Sequence, residues 1–232
     1  MSESGQSEEA EYLSTRAKGL RTLLREATRL AQQGSLEPED PGDRQLSQRL
    51  ARSVDFYIRE MDKSLTATAF LAANVMGASA LESILMLACL RDRAKVAATK
   101  KWVSLQARNA PKPFPQVLAK ARLSQLLAIA EEMAWFPRQG LSTKLRTRLV
   151  ELVGSKAVGT LQAGENPILS IPQFMVAASA AIRNCLHPAR ASAIPVELMD
   201  YVAMVGCAAS VLALGLFLES QEAKGKERRV QV

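Results

Sequence analysis

A chain of 232 residues with 48% hydrophobic and 23% charged side chains can bury a sizeable core and is unlike a disordered chain. Aromatic residues make up only 5% while Ala, Leu and Met are plentiful, which favours helices over sheets. Cys89, Cys185 and Cys207 are widely spaced, with no CxxC pair. They argue against a disulfide framework, and together with the single histidine they exclude a zinc site of the usual ligand set.

The first residues, MSESGQSEEAEYL, are acidic and polar, which is not the pattern of a secretory signal; the expectation is a cytoplasmic protein. Residues 1–9 read as a disordered tail. From 10 to 33, Leu13, Ala17, Leu20, Leu24, Ala27 and Leu30 recur at spacings of three and four and form one apolar stripe on a helix. Gly34 and the turn-rich GSLEPEDPGD end it. A second helix starts near Asp43, and the two together read as an N-terminal helical extension over 10–63.

The main unit, 64–220, opens with TATAFLAANVMGASALESILMLACL. It is apolar nearly all round and must be buried on most sides, with Gly77 as a break or a close-packing point. A basic stretch follows, then NAPKPFP, a proline-rich loop. QVLAKARLSQLLAIAEEMAWF reads as one amphipathic helix and STKLRTRLVELVG as a shorter one with Ser142 or Thr143 as N-cap. SIPQFMVAASAAIRNCLH has Ser170 as N-cap and Pro172 in its first turn. The last helix spans about 195–220, and 221–232 reads as a basic disordered tail. The fold expected is all-α, an antiparallel helical bundle with an N-terminal extension.

The uncharged run 201–218 touches the lower limit for a membrane span, and a basic tail follows it. Glu82 interrupts the other apolar segment, and the remaining helices are amphipathic. A buried core helix is therefore the reading preferred over a membrane one.

The positive charge is uneven. Residues 65–123 hold 9 basic against 2 acidic side chains, while residues 1–64 hold 10 against 12. Arg91, Arg93, Lys95, Lys100, Lys101 and Arg108, with Trp102 among them, could track a nucleic-acid backbone with one stacking aromatic; the alternative is a solvated face.

Most enzyme chemistry is missing. There is no P-loop, the glycines of 154–164 do not form GxGxxG, and GASAL around Ser79 lacks the second glycine of a nucleophile elbow. Cys185 and His187 sit two apart and point in different directions on a helix. No cofactor and no metal are expected.

What remains is AIRNCLHPAR, residues 181–190. On a helix Arg183 and His187 share a face, and Pro188 ends the helix at His187, beside the negative end of the helix dipole. Arginine offers forked donors to a phosphate and histidine moves a proton near neutral pH, so the pair suits RNA cleavage by the 2′-hydroxyl. One histidine does not easily serve as both acid and base, so the catalytic reading predicts a homodimer with this segment at its interface. In the structural alternative, Arg183 pairs with a buried acid, Asn184 caps the chain and His187 bonds a backbone carbonyl. Glu82, a carboxylate in an apolar helix, is the expected partner of Arg183.

RNCLHPAR resembles the Arg–Asn…His signature of HEPN domains, with GASALESILMLACL and LSQLLAIAEEMAWFP similar to helices of that family. The likeness covers roughly 64–220. It implies a small helical bundle that often dimerises and often acts as a metal-independent ribonuclease, in defence or toxin-type RNA cleavage. The functional positions it implies are Arg183, Asn184 and His187, acting on RNA phosphate and ribose. Three residues separate Arg183 from His187, a shorter gap than catalytic members usually have. RNA contacts are expected at Arg91, Arg93, Lys100, Lys101, Trp102 and Arg190. The competing expectation is a non-catalytic dimerisation module whose N-terminal helices dock another protein.

Overall fold

The structure is a computed structural model that describes residues 3–33, 38, 40–136, 147, 150, 151 and 196–230. Among them are eight α-helices and no strand: α1 (Glu3–Gln33), α2 (Arg44–Thr66), α3 (Phe70–Arg91), α4 (Arg93–Ala97), α5 (Lys100–Ala107), α6 (Phe114–Leu118), α7 (Leu123–Glu132) and α8 (Val196–Val230). The chain is an all-α helical bundle, as its composition implies.

The long helices α1, α2, α3 and α8 make the core. In α1 the stripe read from the sequence is the buried one: Ala17, Leu20, Leu24 and Ala27 are buried, with Leu13 packed at the edge. Burial of this stripe, and not helix propensity alone, holds so long a helix. Its partner α2 buries Val54, Ile58, Met61 and Leu65, again at helical spacing. Because Arg21 near the middle of α1 meets Asp62 near the end of α2, the two helices run antiparallel.

The turn from α2 to α3 takes three residues and uses no glycine. Thr68 adopts φ 55°, and the Ala69 N–H bonds back to the Ser64 carbonyl at 2.8 Å. This is the left-handed helix ending that satisfies orphan carbonyls. It reverses the chain and lays α3 along α2, where the contact between elements is most extensive.

Helix α3 passes through Gly77 without a break. A Cβ there would lie 2.8 Å from Ser210 Cβ of α8 and 3.0 Å from Met61 Cε of α2. Gly77 is therefore the close-packing point where three helices meet. Asn74 faces Ser210 and Arg91 faces Gln221, so α8 runs parallel to α3 within the bundle. The tilted Tyr12–Tyr201 ring contact, 6.1 Å between centroids, joins α1 to α8.

Two helices are long and apolar enough to cross a membrane, Phe70–Arg91 and the Met199–Gln221 part of α8. Within the fold, 83% of the most apolar window of α8 is buried, and 61% of that of α3. Both act as core helices, with most of that apolar surface covered by protein. Cys89 and Cys207 lie fully inside them, where burial pushes both thiols above their ordinary range.

The ends of the chain differ from the expectation. Helix α1 already begins at Glu3 and α8 continues to Val230, where tails over 1–9 and 221–232 were expected. The sequence is acidic at its start and basic at its end, which favours helix at both termini. Residues 10–63, read as an N-terminal extension, supply α1 and α2, which share a core cluster with α3 and α8.

The segment read as one helix over 116–136 is broken into α6 and α7. At the break the Gln125 side chain accepts from the Arg122 N–H at 2.8 Å and starts a new helix. Helix α6 opens at Phe114 with Pro115 in its first turn, so the proline-rich loop ends earlier than expected. Phe114, Val117 and Leu118 thereby reach the core.

Candidate functional site

Arg183, Asn184, His187 and Arg190 lie outside the described residues, as does Cys185. The other residues singled out by sequence lie in three places.

The first is the corner where α3 passes into α4. Arg93 Nη1 bonds Asp40 Oδ2 at 2.6 Å and Asp43 Oδ2 at 3.1 Å, reaching back about fifty residues to the start of α2. Its guanidinium also sits over the Phe114 ring, 5.1 Å from the centroid. On that ring Trp102 is stacked, with centroids 4.0 Å apart and planes 27° apart. The result is a layered stack of acid, arginine and two aromatics. Asp43 is only 5% exposed and Trp102 only 3%, so the stack is part of the core. Trp102 is held in place from its backbone as well, its N–H donating to Thr99 Oγ1 at 3.2 Å.

Arg91 donates to the Asp92 carboxylate and, at 2.7 Å, to Gln221 Oε1 of α8. The two arginines at the heart of the basic stretch thus carry internal ion pairs. Trp102 stands inside the fold, away from the surface where a base could stack on it. Only Lys95, Lys100, Lys101 and Arg108 of that stretch point outward as exposed cations. Lys112 and Lys120 approach each other nearby, and the neighbouring ammonium pushes the Lys112 pKa down.

The second place is Glu82. It is half-buried on α3, on a strip formed by Ala72, Val75, Ser79, Glu82 and Met86 that the described residues leave partly uncovered. Val75 is 36% exposed, a large value for α3. Burial alone raises the Glu82 pKa, and no cation among the described residues meets its carboxylate. Its expected contact with Arg183 falls on a residue outside the described ones.

The third place was not singled out from sequence. Between α1 and α2 runs a groove of about 400 Å³ lined by Leu24, Arg25, Thr28, Arg29, Ile58, Arg59, Asp62 and Lys63. Arg25 and Arg29 are four apart on one helix, and Arg59 and Lys63 are four apart on the other, so each pair projects from one face. All four are exposed. The one acid among the described lining residues, Asp62, is held by Arg21 at 2.8 and 3.2 Å. That hydrogen-bonded guanidinium, with the nearby charges of Arg21 and Arg25, keeps the Asp62 carboxyl below its ordinary range.

The sequence signal for this groove was faint. Each cationic pair lies on the polar face of an amphipathic helix and reads as a solvated face until the two helices are set side by side. Electrostatically the groove can hold an anion, whereas the α3–α4 corner has already satisfied its arginines with acids of the chain.

In comparison with known proteins, the chain matches no family model, no curated protein and no solved structure.

Proposed function

We propose that the chain is an HEPN-like, RNA-directed protein of the cytoplasm that acts as a homodimer and cleaves RNA without a metal ion. The observation that carries the reading is the Arg183–Asn184–x–x–His187 segment, followed directly by Pro188 in the sequence of a chain that forms an all-α bundle. Arg183 holds the scissile phosphate and His187 transfers protons; the second chain supplies the second histidine. The apolar GASALESILMLACL segment, which carries the family likeness together with that motif, forms the greater part of α3, the central helix of the core.

The test is cleavage of a single-stranded RNA in the presence of EDTA by wild type, His187→Ala and Arg183→Ala. Wild-type cleavage that falls at least about a hundredfold in both variants is expected for a lost proton-transfer group or phosphate clamp. Cleavage untouched by both substitutions removes the assignment. A strict monomer in light scattering removes the two-chain site.

A second reading, a non-catalytic interaction module, draws on the uncovered α3 strip around Val75 and Glu82. It predicts no RNA turnover and an effect of His187→Ala on stability alone.

A further inference from the structure

We propose that the groove between α1 and α2 binds the sugar–phosphate backbone of a single-stranded nucleic acid, through residues other than Arg183 and His187. The first ground is charge. Four cations line the groove against one carboxylate, and that carboxylate is taken by Arg21. Among the described residues Arg25 and Arg29 have no ion-pair partner, and Arg59 bonds only the Asp55 carbonyl of its own helix. Lys63 pairs with Glu60 at 2.7 Å, but with 72% of its side chain exposed that pair exchanges readily. Glu26 and Asp55 are the other acids on these two helices near the groove, both exposed and neither bonded to its cations through a carboxylate.

The second ground is what the floor lacks. Leu24 is 1% and Ile58 7% exposed, so their apolar surface is already spent on packing α1 against α2. An amphipathic helix laid in the groove would find little apolar area to bury, and binding must come from charge. No aromatic side chain among the described residues lines the groove, so these residues give bases nothing to stack on. The chemistry left is repeated anion recognition along a strand, with forked guanidinium donors on phosphate oxygens. The two arginines of α1 are spaced by four residues, a rise of about 6 Å, and the α2 pair repeats this across the groove. Such contacts position a strand and carry no sequence preference.

The experiment uses the full chain and a fluorescent oligo-dT of about twenty nucleotides, which lacks the 2′-hydroxyl that the proposed cleavage chemistry needs. Failure of the cleavage reading therefore leaves this test intact, and the reverse holds too. Arg25→Gln/Arg29→Gln and Arg59→Gln/Lys63→Gln are expected to weaken binding about tenfold each, as for two charge-assisted contacts. Each should also lower the slope of log K against log salt by about 1.4. The matched control, Arg108→Gln/Lys120→Gln, removes two exposed cations elsewhere and should lower it by less than half as much. Equal effects from groove and control variants, or none from either groove pair, overturn the proposal. So does a poly-glutamate peptide of equal charge that binds as tightly as the oligonucleotide. The two groove variants sit on different helices at exposed positions, so misfolding of one leaves the other to decide.

Discussion

Arginines gather in two regions of this molecule, and they do opposite things. At the α3–α4 corner Arg91 and Arg93 are drawn into the fold by Asp92, Asp40, Asp43 and Gln221, and a stacked Phe114–Trp102 pair closes over Arg93. In the α1–α2 groove Arg25, Arg29 and Arg59 stay exposed, with the only lining carboxylate already engaged. Local charge density along the sequence points to the first region. Partners in space point to the second. A positive stretch is a binding surface only where the chain has not brought its own acids to it.

The sharpest way to break this comparison is through Trp102. If the ring is core, Trp102→Ala removes a side chain that is 3% exposed and leaves a cavity beside Phe114, which costs about 3–5 kcal/mol in urea denaturation. Trp102→Phe, which keeps an aromatic on Phe114, should fold and bind oligo-dT as wild type does. A Trp102→Phe chain that folds normally but loses oligonucleotide affinity would return the ring to a binding role.

Next in size is Arg93→Gln. Asp43 would then lie 5% exposed without its guanidinium, and the Phe114 ring would lose its cation. The expected loss is about 1–3 kcal/mol, the cost of stranding a buried acceptor. The groove pair Arg25→Gln/Arg29→Gln supplies the contrast. Its stability should stay within about 0.5 kcal/mol of wild type, because neither side chain holds an ion pair among the described residues. A thermal or chemical melt of the two variants side by side reads the difference directly, and similar losses in both would erase the distinction.

How far these regions could be seen in the sequence depends on how local their causes are. The α1 stripe, the burial of α3 and the 201–218 run, and the role of Gly77 follow from residue spacing and from apolar surface that has to go somewhere. The pairing of Arg93 with Asp40 and Asp43 depends on contacts about fifty residues apart in the chain, so Arg93 looked free when it was not. Trp102 looked like a surface aromatic because lysines flank it, and its partner Phe114 lies beyond a proline-rich loop. The break between α6 and α7 was hidden because Ala119–Arg122 fits a helical pattern, while Phe114, Val117 and Leu118 are anchored separately in the core. The groove needed two polar helix faces brought side by side. The Arg183–His187 segment stands on its sequence, since it lies outside the described residues.

The smallest effect expected comes from the acid that mirrors the groove, a charge with no partner among the described residues. The Glu82 pKa is raised above its ordinary value of 4.5 by burial. A carboxyl whose folded pKa is raised contributes stability that is present at low pH and is lost as pH rises through the folded value. At neutral pH the ionised Glu82 therefore weakens the fold, and Glu82→Gln should add stability, by about 0.5 kcal/mol or less given its partial exposure. The gain should shrink as pH falls and vanish below about pH 3, where the wild-type carboxyl is neutral in both states. Asp62 has the opposite sign: its pKa is lowered by the Arg21 bond, so its contribution is present at neutral pH and fades on acidification. If Glu82→Gln instead costs stability at pH 7, a cation does seat on Glu82, and Arg183 is the residue to remove next. Non-additive losses in the Glu82→Gln/Arg183→Gln double variant would then tie α3 to the RNxxH segment.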